Sequence, residues 1–171
     1  NSGWFGEDPP TLFPGYQDGI YRIWINEPST DVWGNPSFSA ADTIIEVDTL
    51  WAGGTFDNDF GIICRYQDGQ NFYFGIISSD GYGGIVHLRD GQYNILGAEN
   101  IQFYDAIYQG PQPNHLRFDC VGSTLSLYAN GQLLTSATEA SLVSGQVGLI
   151  AGTFNEAGVD IIFDNFVVYQ P

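Results

Sequence analysis

DNDFGIICRYQDGQNFYFGIIS, residues Asp57–Ser78, reads as two apolar strands around a polar turn. The runs NDFGIICRY and NFYFGIIS flank Gln67-Asp68-Gly69-Gln70, and an Asp/Gly turn between β-branched and aromatic runs is a strong hairpin signal. Asp80-Gly81, Asp90-Gly91, Asn130-Gly131 and Ser144-Gly145 punctuate other apolar runs in the same way. Working outward from these turns, strands are expected near 19–26, 31–35, 42–51, 58–66, 71–78, 84–90, 93–98, 114–121, 124–129, 132–137, 145–152 and 159–169. The stretch 99–112, followed by Pro113, reads as a longer loop with a helical turn near Asp105–Gln109, and a second helical turn is expected at Glu139–Ser141. Residues 1–18, with Trp4, Phe5, Leu12 and Phe13, read as an irregular N-terminal segment packed on the domain, and residues 19–171 as one β-sandwich. Short, evenly spaced strands with Gly, Asp and Asn turns predict an all-β fold, a two-sheet antiparallel sandwich. A jelly roll is the expected arrangement, because no helix is available to cover a sheet edge.

The 171 residues suffice for one well-buried core. Their 20 acidic side chains face four arginines and no lysine, a net charge of −16 that argues against nucleic acid and anionic membranes as partners. No apolar run is long enough to span a bilayer as a helix. The chain opens Asn1-Ser2-Gly3-Trp4 and has no methionine, so a processed N terminus is expected, with an extracellular or cell-surface location.

Alternation places Cys64 with Phe60 and Ile62, and Cys120 with Leu116 and Phe118, on core-facing sides of their strands. Two such cysteines in an acidic, exported chain favour a Cys64–Cys120 disulfide over two buried thiols.

DTIIEVDTL (residues 42–50), the hairpin at 58–78, NHLRFDCVGSTLSLYANGQLL, GQVGLIAGTF and VDIIFDNFVVY together resemble the concanavalin A-like lectin/glucanase superfamily. The likeness is to its laminin-G-like and 3-keto-disaccharide hydrolase-type jelly rolls of bacterial envelope proteins. It rests on the Asn130-Gly131 hairpin, the Gly145–Leu149 strand and the Asp164-Asn165-Phe166 closing strand. The resemblance implies a jelly roll with a glycan-related or adhesive role. Such domains usually open with a strand that pairs near the last one, and none is legible before Asn1.

Asp164 lies within Ile161–Val168, where a carboxylate must be hydrogen-bonded, neutralised or bound to a cation. A structural calcium is therefore a candidate, held by Asp164 with Asp18, Asp42 or Asp160 as partners. Capping of backbone donors at a bulge is the alternative. Asp57-Asn58-Asp59 is a second acidic cluster, read as turn material before a strand.

Alternation sets Arg65 opposite Ile62 and Cys64, turns Val86 and Leu88 inward, and so leaves Tyr73, His87 and Arg89 outward. With Arg117 and Asp119 they are expected to share the outer face of one sheet, where rings and forked polar groups suit a sugar. Tyr82, in a glycine-rich loop, would add a stacking surface, with Trp33 and Trp51 as lesser candidates. Glu46-Val47-Asp48 resembles part of the glucanase E-x-D-x-x-E strand, but Trp51 stands at the third acidic position. No G-x-S-x-G, His-pair or phosphate-loop motif accompanies it. The reading is a non-catalytic, extracellular carbohydrate-binding or adhesive module. Its alternatives are a self-assembling protein that contacts an envelope protein or other copies of itself in an oligomer or filament through an open sheet edge, and a hydrolase acting on a sugar derivative.

Overall fold

The computed structural model describes residues 12–17 and 19–171, and every regular element among them is a strand. In chain order these are β1 (Leu12–Gln17), β2 (Ile20–Ile25), β3 (Thr30–Gly34), β4 (Ser39–Ala40), β5 (Thr43–Gly54), β6 (Asn58–Asp68), β7 (Asn71–Ile77) and β8 (Tyr82–Arg89). They continue as β9 (Gln92–Leu96), β10 (Gln102–Phe103), β11 (Asn114–Val121), β12 (Thr124–Ala129), β13 (Gln132–Thr138), β14 (Gly145–Thr153) and β15 (Val159–Tyr169). The turns behave as their residues require. Asp90 and Gly91 have φ of 50° and 74°, and Asn130 and Gly131 have 51° and 80°. Two successive left-handed residues are the backbone of the tight hairpin turns that match strand twist.

All strand pairs are antiparallel, and they form two packed sheets. The seven-stranded sheet runs β1-β2-β15-β5-β11-β12-β13. The eight-stranded sheet runs β10-β8-β7-β6-β14-β3, with β9 also beside β8 and β4 beside β14. Three short elements escaped the sequence reading. Leu12–Gln17, within a segment expected to be irregular, pairs with β2 as β1, while residues 1–11 and 18 of that segment lie outside the described residues. β4 and β10 are two-residue strands with no periodicity to detect. The opening strand pairing near the last one is present: β2 lies directly between β1 and β15. Asp105–Gln109 and Glu139–Ser141 are turns and coil, not helix.

Ile62, Cys64, Tyr73, Ile85, Phe118, Leu125 and Leu127 fill the space between the sheets. The layers touch closely at Gly75 on β7, where a Cβ would lie 2.8 Å from Leu127 and 3.0 Å from Phe118. Unusually for a sandwich, the eight-stranded sheet also buries its other face. Ile63, Phe72, Phe74, Ile76, Val86, Leu88 and Ile150 form a second apolar cluster there, covered in part by Trp33, Tyr66 and Ile101.

β6 carries the ties between the layers. Cys64 is disulfide-bonded to Cys120 on β11, across the core. The next residue, Arg65, has φ of 51° at a bulge against β7, which turns its side chain inward as well. Its guanidinium donates to the carbonyls of Ala41 (3.0 Å), Leu142 (2.9 Å), Gly122 (2.8 Å) and Cys120 (3.4 Å), and pairs with Asp42 at 3.3 Å. At 2 % exposure it is a structural residue, not a surface one.

The disulfide spans 56 residues, and restricting a loop of that length in the unfolded chain is worth about 4 kcal/mol. Replacing both Cys64 and Cys120 with Ala should lower Tm by on the order of 10 °C in a thermal melt. Arg65→Ala strands four carbonyls and Asp42, and its expected cost in chemical denaturation is about 3 kcal/mol or more. Either variant melting with the parent would refute this account of the tie.

Candidate functional site

The register places two carboxylates on either side of one glycine. Gly152 of β14 pairs with Asp31 of β3 on one side and with Asp59 of β6 on the other. All three point away from the sandwich core, because Val32, Ala151 and Phe60 beside them point in. A Cβ on Gly152 would meet Asp31 Oδ1 at 2.3 Å and Asp59 Oδ1 at 2.7 Å, so the missing side chain is what lets both carboxylates lean over the strand between them.

Around this pair lies a pocket of about 430 Å³. Phe74, Ile76, Val86, Ile95 and Ile101 form its apolar wall, and Tyr93 and Phe154 stand exposed at its rim. The Tyr93 hydroxyl donates to Asp31 Oδ2. Asp59 Oδ1 is buried and has no hydrogen-bond partner among the described residues. A second hollow of about 390 Å³ continues past Asp59, Ile76, Ile101 and Phe154 to Asp57, Asp80 and Tyr82. Tyr82 meets Phe103 edge to face at 5.6 Å there.

Electrostatics in the pocket follow from burial with no counterion among the described residues. Burial, and then the neighbouring charge of Asp31, push Asp59 up to about 7. Burial also raises Asp31, against the stabilising hydrogen bond from Tyr93. The phenol of Tyr93 is pushed upward by burial and by Asp31, so it remains a donor throughout the neutral range.

No protein-family model matches the sequence, and no curated protein matches it. Solved structures do. Carbohydrate binding module CBM66 from Bacillus subtilis superposes with a TM-score of 0.74 at 16% identity, covering 99% of this chain and 96% of that one. Sheep galectin-11, in complex with glycerol, gives 0.56 at 11% identity over 84% and 98% of the two chains. A xylan β-1,4-xylosidase from Bacillus halodurans C-125 gives 0.69 at 16% identity, covering 99% of this chain but 37% of that one. This domain has the concanavalin A-like jelly-roll fold.

Within the jelly roll, the residues expected to share one sheet face are dispersed. Arg65, Tyr73 and His87 lie buried between the sheets. Tyr73 stacks edge to face on His87 at 4.6 Å, and its hydroxyl accepts from Leu142 N at 2.9 Å. Burial first, and then nearby Arg89, push the His87 imidazole below its ordinary pKa, against Glu139 and Asp90. Arg89 reaches Ser141 at 2.9 Å and Glu139 at 3.4 Å. Arg117 and Asp119 do face outward, but on the seven-stranded sheet, where they form a bidentate pair at 2.7 and 2.8 Å beneath which Tyr128 lies 5.3 Å away. Tyr82 alone of the set borders the eight-stranded sheet's hollows. Asp164 is exposed at a β15 bulge and accepts from Asn165 N at 2.7 Å. Its candidate partner Asp18 lies outside the described residues. Among those described, no three His, Cys, Asp or Glu side chains converge as metal ligands would.

Arg65 is inward because of the bulge, and for Tyr73 and His87 the cause is the composition of their strands. β7 and β8 are apolar on both faces, so alternation alone does not say which face is the core. Phe72, Phe74, Val86 and Leu88 belong to the outer cluster, and the polar Tyr73 and His87 take the inside. The signal for the pocket was present in Asp59, an acid at the head of such a strand. Its partner Asp31 lies too far along the chain to be linked to it without the pairing through β14.

Because Asp59 keeps its proton in the fold to about pH 7, whereas an ordinary Asp releases it near 3.8, the folded state binds more protons between those values. Its contribution to stability is whole below about pH 4 and declines through that window by at most ~1.4 kcal/mol per pH unit. Asp59→Asn should therefore raise Tm relative to the parent at pH 8 and leave the difference near zero at pH 4. Equal shifts at both pH values in paired melts would contradict the assignment.

Proposed function

We propose that this jelly roll is a sugar-binding module, with its ligand seated in the pocket over Gly152. The observation that carries the reading is the Asp31–Asp59 pair set in an apolar-walled hollow with Tyr93 and Phe154 exposed at its rim. Carboxylates accept hydrogen bonds from sugar hydroxyls, and exposed rings cover the apolar face of a pyranose. The volume falls in the ordinary range for small-ligand sites. The names of the carbohydrate-binding and galectin structures that share the fold agree with this reading. An acidic site on a chain of net charge −16 disfavours anionic glycans, so the ligand class is neutral or basic. The cross-sheet disulfide suits an oxidising compartment, and we place the module outside the cell.

Glycoside cleavage is the second reading, favoured by a specific feature. Asp59 retains its proton near neutrality beside Asp31, the pairing that a general acid and its partner carboxylate use.

A glycan array with the purified chain, run with calcium and again with chelator, tests the first reading. Saturable binding to one neutral or basic glycan class is expected, weakened at least tenfold by Tyr93→Ala and by Gly152→Ala, whose new Cβ displaces both carboxylates. A blank array would remove the sugar-binding reading, and loss with chelator would place calcium in the site. Release of reducing ends from the bound glycan, abolished by Asp59→Asn, would promote the second reading over the first.

A further inference from the structure

Among the described residues no cation neutralises the two carboxylates over Gly152. There is no lysine, and all four arginines are committed elsewhere. Arg22 holds Asp160 through two hydrogen bonds, Arg65 is buried on carbonyls and Asp42, Arg89 lies with Glu139, and Arg117 with Asp119. Of the histidines, His87 is between the sheets, and His115 pairs with Asp48 on the other sheet. Asp59 Oδ1 is buried in the pocket wall with no partner among the described residues, a costly state for an acceptor.

We propose that the pocket over Gly152 binds a sugar bearing a protonated amino group, whose ammonium donates to the Asp31 and Asp59 carboxylates while its ring lies against Tyr93 or Phe154. This rests on the sugar-binding reading above and names its ligand class. A hydroxyl satisfies these oxygens as a hydrogen-bond donor but leaves the Asp31 charge uncompensated and does nothing to draw off the proton that Asp59 retains. An ammonium donates, compensates that charge and favours the ionised form of Asp59, with charge-assisted hydrogen bonds roughly twice as strong as neutral ones. The aromatic rim adds attraction for a cation. Calcium is the poorer fit, because it collects six to eight oxygens. Beyond the two carboxylates, the polar lining is Ser29, Thr153 and Asn155, with Ser29 Oγ donating to the Phe154 carbonyl and Thr153 Oγ1 donating to the Glu27 carbonyl and accepting from Thr30 N–H. The rest of the wall is Phe74, Ile76, Val86, Ile95 and Ile101. The carbon skeleton of an amino sugar matches that wall, with its charge confined to one corner.

Three disaccharides of one backbone isolate the charge. The β-1,4 disaccharide of glucosamine, its fully N-acetylated counterpart and cellobiose carry ammonium, acetamide and hydroxyl at the same carbon. Titration calorimetry of the full chain near pH 6 and low salt should show the amine binding one to one, at least tenfold tighter than the other two. Asp31→Asn and Asp59→Asn, checked for folding by thermal melt, should erase that advantage. Asp164→Asn, an exposed carboxylate at the β15 bulge, should preserve it, which separates the site from general attraction to an acidic protein. Equal affinity for all three would overturn this inference and leave the sugar-binding reading intact. A preference that survives both pocket variants, or that Asp164→Asn reduces equally, would also overturn it. Calcium alone binding at the pair and displacing the disaccharide would overturn it in favour of a metal site. No disaccharide binding together with a blank glycan array would end both readings.

Discussion

The left-handed bulge at Arg65 is the constraint on which the two layers depend. One residue earlier, Cys64 faces inward by ordinary alternation and reaches Cys120 covalently. At the bulge the backbone takes φ of 51°, and a side chain that alternation would send outward instead enters the same end of the core. There its planar fork satisfies carbonyls from the approach to β5, the β11–β12 turn and the coil before β14. A buried guanidinium is tolerable only when its donors are met, and five acceptors meet them. A covalent bond and a hydrogen-bond hub thus act at one end of β6 and tie it to the opposite sheet and to the loops beside it.

With that end secured, β6 and its neighbours are free to be apolar on both sides. The outer face of the eight-stranded sheet is partly closed by an aromatic row in which Trp33 and Tyr66 pack on Phe72 at 5.5 and 5.4 Å, Phe72 on Phe74 at 5.4 Å, and Phe74 on Tyr93 at 6.3 Å. Beyond Phe74 the cover thins to Tyr93 and Ile101. The hollow that remains is apolar because it is the unclosed part of that same cluster, and it is acidic because Asp31 and Asp59 head their strands there. The site is therefore a consequence of how far the covering side chains extend, together with one glycine on β14.

Much of the fold was legible from the chain. Turn chemistry at Asp90-Gly91 and Asn130-Gly131 demanded left-handed backbone, and the structure has it at both. Most strand limits differ from the expected ones by a residue or two, while β1, β4 and β10 were missed because pairing rather than periodicity defines them. The Cys64–Cys120 disulfide followed from two alternating strands that share a core. The face that carries the candidate site was far less legible. Alternation identifies which residues lie together on a strand, and it correctly kept Tyr73 apart from Phe72 and Phe74. It does not say which group meets the partner sheet when both are bulky.

What the sequence determined by itself was the local grammar: strands, turns, the disulfide, and a surplus of acid that four arginines do not balance. These are short-range properties, written in the conformational preferences of neighbouring residues. The tertiary structure decided which face of each strand is inside, that Arg65 turns inward at a bulge, and that Asp31 and Asp59 meet over Gly152. Those outcomes depend on pairing between β3, β14 and β6, strands far apart in the chain, and on the close approach that a missing Cβ allows. No local preference encodes either one.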